Sequence, residues 1–307
     1  MVQNLTTLRR RRVEVTLSSE AGGFTSSNYR LRLRGLKLFS KILHRRIQFC
    51  LDLRGYFLHA QIVIESTNCA AVVPAFNEGL SIASLINAIR RHLPVVIVVD
   101  DGSTDKTPAL ARTAGAEVVR HERNLGKGAA LKTGLSRAWK HGFEWALTLD
   151  GDGQHAPDDV PGFMICAEET GARLVVGNRR HNAAAIPWLR RHVNWWMSRK
   201  ISQRAGRHLP DTQCGFRLIH LETWAGLTLE TEHFEVESEM LLAFLAAECR
   251  VEFVPIQVIN RKRSSHICPV ADTVRWWTWW RKGAPGLRHP GKREPAGVHS
   301  PAGFNEA

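Results

Sequence analysis

Three short polar segments that carry acids each follow an apolar run. Pro74-Ala75-Phe76-Asn77-Glu78 follows Ala70–Val73, Asp100-Asp101-Gly102-Ser103-Thr104-Asp105 follows Val95–Val99, and Asp150-Gly151-Asp152-Gly153-Gln154-His155 follows Trp145–Leu149. In an open α/β sheet, ligands bind beyond the carboxyl ends of the strands. A single such ending serves equally well as a turn, since Asp and Gly favour turns and an Asp can cap the next helix. Three of them on neighbouring strands repel one another and need a cation, a ligand or a protonated partner. Asp150 and Asp152 stand at i and i+2, a spacing that points both carboxylates to one side of extended chain. Together they suit one hard divalent ion, Mg²⁺ or Mn²⁺, completed by substrate phosphates and water. Gly126-Lys127-Gly128 offers backbone amides and an ammonium to a phosphate at a helix start, although alone Lys127 reads as a solvated helix residue. Neither the P-loop pattern nor the GxGxxG fingerprint is present.

The elements that must position these groups show in the hydrophobic period. Leu80, Ile82, Leu85, Ile86 and Ile89 recur on one face of a helix over 80–93. Val95–Val99 reads as a strand buried on both faces. A helix is expected over 107–114, a strand at Glu117–Arg120, a long helix over 126–141, a helix over 158–170 and a strand at Arg173–Gly177. Strands alternating with helices imply βαβ units and a mostly parallel sheet with helices on both faces, an α/β fold. After residue 187 the alternation breaks down into a Trp-rich helix (188–205), a strand at Phe216–Ile219, a helix over 235–248 and a strand at Val251–Ile259.

Six motifs occur in order: the three strand endings, Gly126-Lys127-Gly128, Gly177-Asn178-Arg179 and Asp211-Thr212-Gln213-Cys214-Gly215-Phe216-Arg217. The series resembles glycosyltransferase family 2, in its dolichyl-phosphate mannose synthase-like branch of polyprenyl-phosphate sugar transferases, over about residues 69–266. The resemblance implies a GT-A (Rossmann-like) fold, inversion at the sugar, a nucleotide-diphosphate sugar donor such as GDP-mannose or a UDP-hexose, and a divalent metal. By the same resemblance Pro74, Ala75, Glu78 and Asp101 bind the donor with Asp100 behind them, and Lys127 and Asp150 complete the donor site. Asp150, Asp152 and Gln154 form the metal and diphosphate site, and Asp152, Arg179 and Arg261 carry the reaction, the two arginines meeting phosphate. Two departures fall on the acceptor side. Asn194 stands four residues before Ser198 where such enzymes carry Arg, and Lys262-Arg263-Ser264-Ser265-His266 replaces a glycine-containing Ser-Lys segment.

The acceptor implied is a polyprenyl phosphate, whose oxygen is already ionised and needs no base. The alternative is a glycan or other hydroxyl acceptor, which needs one. His155, Glu235, Glu237 and Glu239 are then the candidates, though acids also favour a helix N-terminus for its dipole.

Of the 307 residues, 1–66 hold twelve Lys and Arg against four Asp and Glu, and 261–307 hold nine against three, leaving 67–260 near neutral. Basic arms around a neutral core suit anionic lipid or phosphate and argue against a nucleic-acid partner. Residues 1–66 are expected to be a basic extension without packed structure over 1–30. Leu36, Phe39, Leu43 and Ile47 there fit an amphipathic helix, or an extension outside the domain. The catalytic domain spans 67–266, a Trp-rich helix 267–282 and a Pro- and Gly-rich flexible tail 283–307. On that helix Thr273, Trp276, Trp277 and Trp280 share a face that suits a membrane interface, or else a packing surface. Six scattered cysteines read as thiols of a reducing compartment. No apolar run reaches the roughly 18 to 20 residues that span a bilayer, so a cytoplasmic protein in peripheral contact with the membrane is expected.

Overall fold

The computed structural model describes residues 66–180, 188–259 and 269–283, together with the backbone of four strands within residues 14–62. Contacts divide the chain into two units, Met1–Ile62 and Val63–Ala307. In the first, β1 (Glu14–Ser18) pairs antiparallel with β2 (Arg30–Arg34), and β3 (Ile47–Leu51) with β4 (Leu58–Ile62). The stretch expected to lack packed structure thus includes one strand and the start of another. The helix expected over Leu36–Ile47 falls outside the described residues except at Ile47, where β3 begins. The tail from 284 onward also lies outside them.

The second unit is built on a seven-stranded sheet of β5 (Cys69–Ala75), β6 (Val96–Asp100), β7 (Glu117–Arg120), β8 (Trp145–Thr148), β9 (Leu174–Asn178), β10 (Arg217–His220) and β11 (Val251–Pro255). Their order across the sheet is β11-β9-β10-β8-β5-β6-β7. β10 runs antiparallel to both β8 and β9, and the other pairings are parallel, so all strands but one point the same way. β6 is buried throughout, as its unbroken apolar run requires of a strand covered on both faces.

Helices α1 (Ile82–Ile89), α2 (Thr107–Thr113), α3 (Lys127–Lys140), α4 (Val160–Thr170), α5 (Trp188–Ala205), α6 (Leu221–Ala225), α7 (Val236–Ala246) and α8 (Pro269–Arg281) surround it. α1 buries Ile82, Leu85, Ile86 and Ile89, the stripe its sequence displays. α3 packs on β5, β6 and β8, and α4 on β9, β10 and β11, where Phe163 meets Phe216 at 4.3 Å between ring centroids. α6 gives no sequence signal of its own; it starts where β10 ends, with the His220 ring accepting the Thr223 amide.

Because β5, β6 and β8 are parallel neighbours, their carboxyl ends share one edge, with Ala75 beside Asp100 and Val72 beside Thr148. α5, α7 and α8 face that edge across a cleft. α8 forms as a helix, but Trp276, expected among side chains facing a membrane, is 2% exposed. It stacks on Trp280 and meets Trp196 edge-on.

Candidate active site

The β5 and β6 endings are zipped together by side chains that accept backbone amides. Ser103 Oγ accepts the Asn77 amide at 2.9 Å, Thr107 Oγ1 the Glu78 amide at 2.8 Å, and Asp105 Oδ2 the Gly79 amide at 2.9 Å. In return Asn77 Oδ1 accepts the Thr104 amide at 2.9 Å. Asn77 holds the left-handed φ of 55° that this turn imposes. The carboxylates of the second ending are therefore partly structural. Asp100 is fully buried, with Oδ1 toward the Ser103 amide and Oδ2 3.1 Å from Arg120 Nε. Asp101 reaches the cleft wall, yet its Oδ1 meets His121 Nδ1 at 2.7 Å and the Leu125 amide at 2.9 Å, while Oδ2 takes the Gly126 amide at 2.9 Å. It thereby holds the turn into α3, where Gly126 adopts φ +99° against the backbone of Glu232.

The third ending lies deeper. Ser81 Oγ, at the start of α1, donates to the Gly151 carbonyl at 2.8 Å. Asp150 Oδ1 and Glu237 Oε1 each lie 2.6 Å from Lys127 Nζ, which also sits 5.3 Å from the Phe234 ring centroid. This triad joins β8, α3 and α7. A side chain at Gly215 would place its Cβ 2.6 Å from Asp150 Oδ1, so only glycine leaves room for it. Burial alone would raise the Asp150 carboxyl, but the Lys127 ammonium, with His155 and Arg179 farther off, holds it well below the usual carboxylate range. Burial alone would likewise lower Lys127, but Asp150 and Glu237 hold it above its ordinary value. His155 accepts the Asp150 amide on Nδ1 at 3.4 Å and is pushed down by burial, against the opposing pull of Asp150 and Asp152.

These groups line one cavity of about 430 Å³. Pro74, Ala75, Glu78, Asp101, Lys127, Asp150, Asp152 and Gln154 all border it, as the sequence leads one to expect. Two expected residues do not. Asp100 lies behind the wall, fully buried. Arg179 is buried in a two-pronged pair with Asp211, Nε to Oδ2 at 2.8 Å and Nη2 to Oδ1 at 2.9 Å. Arg261 lies outside the described residues.

Asp152 makes no ion pair among the described residues, and its Oδ1 takes only the Gln154 amide, at 3.0 Å. Hard carboxylate oxygens from Asp150 and Asp152, with the Gln154 side chain at the same wall, suit Mg²⁺ or Mn²⁺ in donor chemistry. Among the described residues no three His, Cys, Asp or Glu side chains converge to hold a metal unaided.

The opposite wall was largely invisible in the sequence. Arg190, Val193, Asn194 and Met197 of α5 line it at helical spacing, joined by Gln213 and by Asp272, Thr273, Arg275 and Trp276 of α8. Asn194 occupies the position where the resemblance leads one to expect arginine, and Arg190 stands one turn earlier on the same cavity wall. The helical period could have placed Arg190 beside Asn194, but in the Arg190-Arg191 pair only the fold decides which one faces inward.

Side chains hold this wall in place. Ser238 Oγ accepts from Gln213 Nε2 and from Trp276 Nε1, both at 2.8 Å. Arg217 donates to the carbonyls of Cys214, Thr212 and Glu237 at 2.7 to 2.9 Å. Of the three glutamates considered as bases, Glu239 is spent on the Glu230 and Thr231 amides and Glu237 on Lys127. Glu235 borders the cavity, and burial pushes its carboxyl up. Asp272 pairs through Oδ1 with Arg275, while its buried Oδ2 has no hydrogen-bond partner among the described residues.

Residues 70–223 match the family described as glycosyl transferase family 2. The UDP-N-acetylglucosamine–dolichyl-phosphate N-acetylglucosaminyltransferase of Methanococcus voltae is 29% identical over 216 residues, 63% of this chain and 86% of that protein. The undecaprenyl-phosphate mannosyltransferase of Micrococcus luteus is 27% identical over 231 residues, 67% of this chain and 92% of that protein. Among solved structures, glucosyl-3-phosphoglycerate synthase from Mycobacterium tuberculosis, in complex with Mn²⁺, uridine diphosphate and phosphoglyceric acid, aligns with a TM-score of 0.54 at 20% identity. The alignment covers 71% of this chain and 79% of that one, and shows the GT-A fold.

Proposed function

The chain belongs to glycosyl transferase family 2, and on that premise we propose that it moves a hexose, with inversion, from a nucleotide-diphosphate sugar to a polyprenyl phosphate. The reaction would take place at the cytoplasmic face of a membrane, with the protein peripheral to it. The observation that carries this reading is the two-walled cavity. The acids of the strand ends border one side, and cations set among apolar side chains border the other. The names of the relatives from Methanococcus voltae and Micrococcus luteus, both of which include a polyprenyl phosphate, support the acceptor class.

On the donor side, Pro74, Ala75, Glu78 and Asp101 border the space for the nucleoside. Asp150 and Asp152, with Gln154, would hold the divalent ion, which when bound neutralises charge on the departing nucleoside diphosphate. Lys127 keeps Asp150 ionised and fixes its direction through the 2.6 Å contact. Arg179 acts through Asp211, orienting the loop that carries Gln213 into the cavity wall.

On the acceptor side, Arg190 and Arg275 offer guanidinium groups to a phosphate, while Val193, Met197 and Trp276 offer apolar surface to the first prenyl units. A phosphate oxygen is already charged near neutral pH, so attack on the anomeric carbon requires no side chain to take a proton. One observation favours a second reading, a hydroxyl acceptor. Glu235 is a cavity-wall carboxyl raised by burial, which suits a base for such an acceptor.

The test is incubation of the purified protein with UDP- and GDP-hexoses, Mn²⁺ and a polyprenyl phosphate. Radiolabel in an organic-soluble, mild-acid-labile product is the expected result. Label transferred only to an aqueous glycan, with none in the organic phase for any donor, would overturn the lipid-phosphate acceptor.

A further inference from the structure

Acids on neighbouring strand ends repel one another and call for counter-charge. Two of the three endings find it in a basic side chain close by. Arg120 Nε lies 3.1 Å from Asp100 Oδ2, and His121 Nδ1 lies 2.7 Å from Asp101 Oδ1. At the third ending the counter-charge is Lys127, 2.6 Å from Asp150 Oδ1 and 2.6 Å from Glu237 Oε1. Asp152, two residues farther on, forms no ion pair among the described residues.

Local structure argues against a lysine at this position. Lys127 opens α3, where the helix dipole disfavours a cation, and its side chain is only 13% exposed. The ammonium is nevertheless firmly seated. Phe234 covers it, and a Cβ at Gly215 would come within 2.9 Å of Nζ. Glu237, in the first turn of α7, gives its buried carboxylate to the contact. The loop between is clamped at both ends: Glu239 accepts the Glu230 and Thr231 amides, and the Ala129 amide donates to the Glu232 carbonyl at 3.1 Å. A buried ion triad is a poor source of stability, because desolvation offsets the attraction between its charges. Its place on the wall of a cavity that also holds Asp152 points to another use.

We propose that Lys127, seated by Glu237, is an internal counter-cation that loosens the hold of the nucleotide-free site on a divalent ion, so that the ion is retained only with the nucleoside diphosphate. The proposal rests on the donor half of the reading above and deepens it. An ammonium already lies against one oxygen of Asp150, so a divalent ion brought to Asp150 and Asp152 meets a fixed positive charge as well as two carboxylates. Repulsion over a few ångströms in a half-buried site is worth about tenfold or more in affinity. The diphosphate brings oxygen ligands and negative charge that offset it. Binding free energies are reciprocal, so the ion strengthens nucleotide binding by the same factor. Glu237 is a positioning residue in this scheme. It shares the ammonium with Asp150, and without it the whole charge falls on Asp150.

The test measures Mn²⁺ binding to the full-length, nucleotide-free protein from the electron paramagnetic resonance signal of the free ion. Calorimetry then gives the affinities of UDP and of GDP with and without Mn²⁺. In the wild type, Mn²⁺ should raise the affinity of at least one nucleotide by about tenfold or more. Lys127→Met leaves the carboxylates of Asp150, Asp152 and Glu237 without the ammonium. It should bind Mn²⁺ about tenfold more tightly in the absence of nucleotide, and its nucleotide should gain less than about threefold from the ion. Glu237→Gln should move the other way, binding Mn²⁺ alone about threefold more weakly than the wild type. A triad that only braced the fold would not shift the two variants in opposite directions. Near-UV circular dichroism checks that the fold is kept. A folded Lys127→Met protein that binds Mn²⁺ no more tightly than the wild type would overturn the proposal. If Lys127→Met does not fold, Glu237→Gln decides: weaker Mn²⁺ binding supports the proposal, and equal or tighter binding overturns it. If neither UDP nor GDP binds the wild type, with or without Mn²⁺, the donor reading itself fails and takes the proposal with it. Nucleotide binding strengthened by Mn²⁺ to the same extent in the wild type and Lys127→Met keeps the donor reading and overturns the proposal alone.

Discussion

The two walls of the cavity are built on different principles. The strand-end wall is fixed by side-chain oxygens that accept backbone amides, as Asp101 does for Leu125 and Gly126 and Thr107 does for Glu78. Such an anchor needs only one specific residue, since every partner but proline supplies the amide. The helical wall is fixed largely by matched side chains: Ser198 with Thr212, Gln213 and Trp276 with Ser238, Arg179 with Asp211. Each of those contacts needs two residues to agree. The first wall should therefore tolerate change among its partners, whereas the second should fail in pairs.

The largest expected effect tests whether the strand-end wall carries the chemistry. Asp152→Asn removes a cavity carboxylate whose only hydrogen bond among the described residues is to the Gln154 amide, so turnover should fall by about three orders of magnitude. The melting temperature should stay within about two degrees of the wild type. Chelation by EDTA should give the same loss in the wild type, with recovery on Mn²⁺ addition. Initial rates and thermal melts decide it; a variant that turns over at wild-type rate would detach Asp152 from the reaction.

Next comes a buried anchor of the helical wall that, like those of the strand ends, reaches backbone groups. Arg217 is 2% exposed and satisfies three carbonyls, including that of Glu237, whose side chain holds Lys127. Arg217→Gln leaves at least one buried carbonyl without a donor and should cost about 3 kcal/mol in urea unfolding. Thr107→Val, on the strand-end wall, removes the acceptor of the Glu78 amide and the hydroxyl donor to Asp105 and should cost about 1 kcal/mol. Equal losses would mean that three buried carbonyl contacts add nothing over the contacts of one hydroxyl.

A smaller effect separates their functions. Arg190→Gln should raise KM for prenyl phosphate about tenfold while leaving KM for the nucleotide sugar within about twofold. A shift in the donor constant instead would move Arg190 to the other substrate.

The same distinction explains what was legible in the sequence. An apolar run ending in acid announces both a buried strand and the group at its tip, and Glu78, Asp101, Asp150 and Asp152 do border one cavity. The Asp211 pairing that removes Arg179 from the cavity wall spans 32 residues and joins two motifs that each look self-sufficient. β10 is only four residues long, and no local period reveals that it inserts antiparallel between β8 and β9. The Trp-rich segment was legible as a helix but not in its orientation. Amphipathic spacing says which side chains share a face, whereas the hydrogen bond from Trp276 to Ser238 shows that Trp276 is turned inward, while Trp277 beside it stays 39% exposed.

Trp276 also gives the finest test of how the helical wall is held. Phenylalanine at this position keeps an aromatic ring against Trp196 and Trp280 and removes the indole N–H that reaches Ser238 at 2.8 Å. Ser238 keeps its bond from Gln213, so only one of its two partners is lost. Trp276→Phe should therefore cost about 1 kcal/mol of stability in urea unfolding, far less than a cavity-forming change to alanine. Because Trp276 borders the cavity from α8, the acceptor constant should move by about twofold to threefold and the donor constant should not. Combining it with Gln213→Leu in a double-mutant cycle should give a coupling energy near 1 kcal/mol through the shared hydroxyl. Strict additivity would mean that the two walls are anchored alike and that Ser238 is not the joint between α7, α8 and the loop before β10.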